Sequence, residues 1–215
     1  AMLTDVTDDE RMDEVSSQGY AWGYIGSCIP FIACLALVLG SDKIGLSMEN
    51  AMAVSFTIVA VWWIVMTLPL LKTYRQRHYV ERKPHAVKDS FTRIGRTLVN
   101  ARKEKKIFLF LIAFFFYIDG VYTIIDMATA YGSALGLDST GLLLALLVTQ
   151  LVAFPSAIIF GKLAKRFNTE KLILVCISAY LFIAIFAIFL ATQLQFWILA
   201  VLVGMFQGGV QALSR

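Results

Sequence analysis

Six runs of predominantly apolar residues, each roughly 18–22 residues long, are what this chain has to fold around. They cover Gly19 to Leu39, Ala51 to Leu71, Ile107 through Asp126, Thr140 to Gly161, Leu172 to Ala191 and Phe196 to Leu213. At about 1.5 Å per residue, a helix of this length crosses a hydrocarbon core of about 30 Å. Backbone amides cannot stay unpaired in lipid, so helices are the expected form. The 215 residues are 59% hydrophobic and only 16% charged, with a mean hydropathy of +0.73, which leaves too little polar surface for a water-soluble domain. The expected fold class is all-α, a polytopic transmembrane bundle of six spans.

Charge divides the segments between the spans. Residues 1–18 are polar and acidic and read as a loop or the tail of an earlier element, with no basic stretch and short apolar core of the kind a signal peptide has. The insert at 72–106 carries 12 of the 19 Lys and Arg residues against three acids, Glu81, Asp89 and Glu104. Within it, Asp89 or Ser90 is the expected cap of a short helix on which Phe91, Ile94 and Leu98 share a face, opposite Arg93, Arg96 and Arg102. That is the pattern of a helix lying on a membrane surface, and a bilayer-pinned loop needs no nucleic acid to explain its charge. If the insert is cytoplasmic, alternation puts Arg11, the basic loop from Gly161 to Lys171 and Arg215 on the same side, leaving Lys43 alone outside.

Polar and small residues inside the spans narrow the possibilities further. Gly19, Gly23 and Gly26 on the first span, and Gly204 and Gly208 on the last, are spaced to let helix backbones approach closely. Pro30 is expected to kink the first span, and Pro69 to mark the end of the second. Trp62 and Trp63 sit too deep for an interfacial belt and are expected to pack in the bundle or line its cavity. Cys28, Cys34 and Cys176 fall within apolar runs without metal spacing and read as small core residues.

The third span is the costly one, because Asp119 and Asp126 lie on it one heptad apart with Tyr122 on the same stripe. A carboxylate at a span centre costs about 2.5–3.5 kcal/mol, so it faces a packed interior or a wet cavity. No Lys, Arg or His lies within the body of any span to neutralise it. Asp119, with Asp126 nearer the outer boundary, is therefore a candidate for proton or cation coupling. A hydrogen bond to a neighbouring helix, or contact with a solute, are the alternatives. Tyr117, Tyr122, Gln150, Gln207 and Gln211 are candidate polar lining for a small-molecule solute, with interhelical hydrogen bonding as the plainer role for the glutamines.

Four stretches carry a resemblance: SSQGYAWGYIGS at Ser16 to Ser27, FYIDGVYTII at Phe116 to Ile125, FGKLAKRF at Phe160 to Phe167 and GMFQGGVQALSR at Gly204 to Arg215. With them the chain resembles the major facilitator superfamily, and within it the vacuole-effluxer-like branch, whose eukaryotic members are linked to amino-acid efflux after autophagy. The resemblance implies alternating access between two six-helix halves. The six spans would be helices five to ten, with 19–71 closing the first half, 72–106 the cytoplasmic linker and 107–215 opening the second. A chain that stops at Arg215, directly after an apolar run, is expected to be a piece of a longer protein. The family's cytoplasmic gate loop is matched at Gly161, Lys162 and Arg166, but Lys165 stands where the family usually has an acid.

Two other classes compete. An enzyme would need paired carboxylates or a Ser/His or His-rich cluster within the spans, whereas His78 and His85 lie in the insert and the two aspartates are about 10 Å apart along one helix. A non-transporting receptor or scaffold is compatible with the same spans. No cofactor or metal is expected; the expected partners are the bilayer, a small solute such as an amino acid, and a proton or cation.

Overall fold

A computed structural model of the chain describes residues 3–8, 11–75 and 86–214, apart from the side chains of residue 4, residues 86–89 and residue 98. Among them every regular element is helical: α1 (Leu3–Val6), α2 (Met12–Leu39), α3 (Met48–Thr73), α4 (Ala86–Lys103), α5 (Lys105–Ala134), α6 (Ser139–Leu163), α7 (Thr169–Ile188) and α8 (Gln193–Leu213), with a 3-10 turn at Ser41–Ile44. Six of these, α2, α3 and α5 to α8, are long and apolar enough to cross a membrane. His78, His85, Glu81 and Arg215 lie outside the described residues, as do the side chains of Asp89 and Leu98.

The helix starts are written locally. Ser47 accepts from the Asn50 N–H, Asp138 from Gly141 and Asn168 from Glu170, each satisfying an amide that the first turn leaves free. Thr192 and Gln195 form a reciprocal capping box at the start of α8. Several expected limits move outward. The acidic Met12–Gln18 stretch forms the first turns of α2, where Asp13 and Glu14 are favoured by the positive end of the helix dipole. Pro69 does not end α3, which runs on to Thr73, because proline removes only its own N–H and the following ladder resumes, as in the 2.8 Å bond from Tyr74 N–H to Leu70. α4 begins no later than Ala86, so Asp89 and Ser90 lie inside it and are not its cap. Gly161 and Lys162 belong to the last turn of α6, which shortens the loop to residues 164–168.

Packing centres on α6. Its Ala145, Thr149, Ala153, Ala157 and Gly161 recur every fourth residue and are all buried, a stripe of small residues pressed between α8 and α2. A Cβ on Gly204 would come within 2.7 Å of the Thr149 carbonyl oxygen, and one on Gly208 within 2.6 Å of the Ala157 backbone nitrogen. Glycine is therefore what permits the α6–α8 crossing, and hydroxyls stitch it: Thr149 donates to the Ala200 carbonyl at 3.2 Å, and Ser156 to that of Met205. Overpacking of a tight contact costs about 1–3 kcal/mol, so Gly208→Ala is expected to lower the thermal unfolding midpoint in detergent by several degrees; an unchanged midpoint would contradict this packing.

The α2 glycines behave differently. Ser17, Ala21, Tyr24 and Cys28 turn toward the bundle, whereas Gly19, Gly23 and Gly26 lie on the opposite side of the helix, with no described atom within 4 Å of where a Cβ would stand. No described helix is in close contact with them; Gly23 and Gly26 border the groove toward α3, and Gly19 and Gly23 a second groove toward α1 and α8. α3 packs on α2, and between them runs an apolar groove of about 720 Å³ lined by Trp22, Phe31, Trp62 and Trp63 among others. Cys28 and Cys176 are buried, Cys34 is half-buried, and all three are free thiols. At the far end of α3, the Tyr74 hydroxyl donates to Asp5 at 2.5 Å, a bond that holds the phenol pKa above its ordinary value and ties α3 to α1.

Candidate functional site

The start of α2 is gripped by three other helix ends. Glu14 pairs with Lys165 of the α6–α7 loop at 2.9 Å, Asp13 accepts from the Thr169 hydroxyl of α7 at 3.0 Å, and Ser16 donates to the Ala212 carbonyl of α8 at 2.9 Å. Ser17 abuts Gly161 so closely that a Cβ there would fall within 2.6 Å of the Ser17 Cβ. The start of α2, the end of α6, the start of α7 and the end of α8 thus share one face of the bundle, as antiparallel alternation requires.

Lys165 is therefore the residue of its loop that makes an ion pair. Lys162 and Arg166 are exposed and form none among the described residues. The signs suit the helix dipoles, acids at the start of α2 and a base just past the end of α6. Sequence alone marked Lys165 as a departure; its partner, Glu14, lies in a stretch that read as a polar tail.

Deeper in the bundle, the Tyr24 hydroxyl donates to Gln211 Oε1 at 2.7 Å, joining α2 to α8. The Tyr20 ring lies 6.2 Å from that of Tyr24, centroid to centroid. Tyr20, Tyr24, Gln211, Ser16, Gly19 and Gly23 line a groove of about 560 Å³, a volume suited to a small molecule. Tyr24 was not singled out by sequence; its four-residue spacing from Tyr20 was the available signal.

The remaining candidates fall into two groups. Gln207 is buried, and its Oε1, that of Gln150 and the hydroxyl of Tyr117 have no hydrogen-bond partner among the described residues. The Tyr117 hydroxyl lies near that of Ser214 but outside hydrogen-bond geometry. Tyr117 belongs to the face of α5 that packs on the core with Ile118, Val121 and Ile125. Asp119 and Asp126 are turned about 160° and 140° from Val121 around the same helix. Both are exposed, and neither forms a hydrogen bond or ion pair among the described residues. The structure thus joins Gln211 to Tyr24, leaves Tyr122 exposed on the aspartates' side of α5, and sets the aspartates on a separate face from Tyr117.

The family model described as vacuole effluxer Atg22-like matches residues 3–215. The chain is 49% identical over 217 residues to an uncharacterized MFS-type transporter, YxiO, of Bacillus subtilis (strain 168), covering 100% of this chain and 51% of that protein. It is 23% identical over 229 residues to autophagy-related protein 22 of Coccidioides immitis, covering 94% of this chain and 37% of the relative. Autophagy-related protein 22-2 of Aspergillus clavatus is 26% identical over 189 residues, covering 81% and 30% respectively. The chain spans about half the length of the first of these relatives and less of the others. No solved structure matches it.

Proposed function

The chain belongs to the vacuole effluxer Atg22-like family, and from that premise we propose that it is part of a secondary active transporter that moves a small solute, of the amino-acid class, by alternating access. In this reading α2 and α3 close one half of the carrier, α5 to α8 open the other, and the segment at 72–106 links them in the cytoplasm. The single observation that carries it is the contact of α2 with α6 and α8, made of polar bonds at one end, a tyrosine–glutamine bond within, and a small apolar patch where Ala21 and Tyr24 pack on Ala153 and Ala157. Small residues and a few hydrogen bonds allow such a contact to part and re-form, which a large interlocked apolar surface would resist.

The grip on Glu14, Asp13, Ser16 and Ser17 is then the closed cytoplasmic gate, and the Tyr24–Gln211 bond borders the solute site. The unpartnered acceptors of Gln207 and Gln150 suit a solute that brings N–H donors, and Asp119, the carboxylate without a cation in the spans, suits a proton, another cation or an ammonium group.

Gradient-driven flux of labelled amino acids by the full-length protein in proteoliposomes tests this reading. Uptake that follows an imposed pH or cation gradient is expected; no flux of any such solute would favour a scaffold. The gate has its own test. Glu14→Lys is expected to slow flux by no more than about fivefold, because the ion pair is partly exposed and screened, and adding Lys165→Glu should restore it. A double variant no better than the single one would contradict the gating role of the pair.

A further inference from the structure

α4 is the amphipathic element that the packing leaves uncovered. Its Phe91 and Ile94 are 71% and 57% exposed, and among the described helices it packs on α5. The two helices are joined through Glu104, whose extended backbone (φ −87°, ψ 90°) breaks the helical path, so α4 is not a straight continuation of the spanning helix. Its end is nevertheless pinned where α5 enters the apolar layer at Lys105 and Lys106. Arg102 is only about 20° around the helix from Phe91 and so flanks the apolar stripe, a correction to the opposite placement expected from sequence; Arg93, Arg96 and Lys103 lie farther round.

We propose that α4 is a peripheral anchor that reads negative charge on the membrane surface. Phe91 and Ile94 enter the headgroup boundary, Arg102 beside them reaches anionic phospholipid headgroups, and Arg93, Arg96 and Lys103 on the polar face add to the attraction toward the charged surface. Charge complementarity selects this occupant. A helix with apolar residues on one stripe, Arg102 beside it and further cations on the polar face, tethered within one residue of a spanning segment, meets a headgroup layer before any soluble partner. Arginine stems can lie along the apolar boundary while their guanidinium groups reach phosphate. The inference rests on α5 spanning the membrane and does not depend on the transport reading.

Hydrogen exchange of the α4 backbone in full-length protein tests it, in nanodiscs of phosphatidylcholine alone and with 30% phosphatidylglycerol added. Exchange across residues 91–103 is expected to slow by about tenfold or more in the anionic discs, and to lose most of that protection at high salt. Arg93→Gln/Arg96→Gln/Arg102→Gln is expected to erase the difference between the two lipids. Equal exchange in both, or a triple variant that keeps the full difference, would overturn the proposal. Equal protection in both lipids and in detergent would overturn it in favour of docking on protein.

Discussion

Full-length protein carrying Asp119→Asn is expected to lose gradient-driven transport by roughly tenfold or more, and with it the pH dependence of the residual rate. Asparagine keeps the shape and removes the charge, so the substitution asks whether ionisation itself is used. Asp119 makes no hydrogen bond or ion pair among the described residues, so its replacement removes no described packing bond. Asparagine removes the charge but is still a costly polar group in a span, so the change adds no insertion penalty and the variant should remain well folded. Asp126→Asn, two turns toward the helix end, is expected to have the smaller effect. Wild-type rate and pH profile in Asp119→Asn would eliminate the coupling role.

Gly161→Leu should be the most damaging change at the gate. A Cβ there already falls within 2.6 Å of the Ser17 Cβ, and three further carbons would wedge the start of α2 away from α6. Overpacking of about 1–3 kcal/mol acts on the closed contact alone, shifting a two-state equilibrium by roughly 5- to 150-fold toward the parted form. Transport is expected to fall accordingly, while thiol reagents should gain access to a cysteine placed at Ser17. The α6–α8 packing around Gly204 and Gly208 lies elsewhere along the stripe and should survive. Unchanged access at position 17 would show that this contact does not open.

The helices were legible in the sequence because their signals are local. Apolar run length points to six spans, and Asp138, Asn168 and Thr192 cap helices shortly before the apolar runs begin. Register between distant helices is not local. Tyr24 and Gln211 are 187 positions apart, and no periodicity in either span announces their bond. The α6 stripe was missed for a related reason, since alanine and threonine are ordinary in an apolar run and only burial on two sides distinguishes them. Small residues state that close approach is allowed, but not by what. That is why Gly204 and Gly208 carry a described contact whereas Gly19, Gly23 and Gly26 meet open space. Lys165 shows the same limit in charge, for its meaning depends on Glu14, which only folding brings within 2.9 Å.

The transport reading turns on α2 moving against α6 to α8. The direct measurement is flux through full-length protein, with its native cysteines replaced, carrying Asp13→Cys and Thr169→Cys, whose native side chains meet at 3.0 Å. Joining the pair with a short reducible bis-thiosulfonate linker is expected to stop transport, and reduction to restore it. Undiminished flux through the crosslinked protein would contradict the rocking of one half against the other.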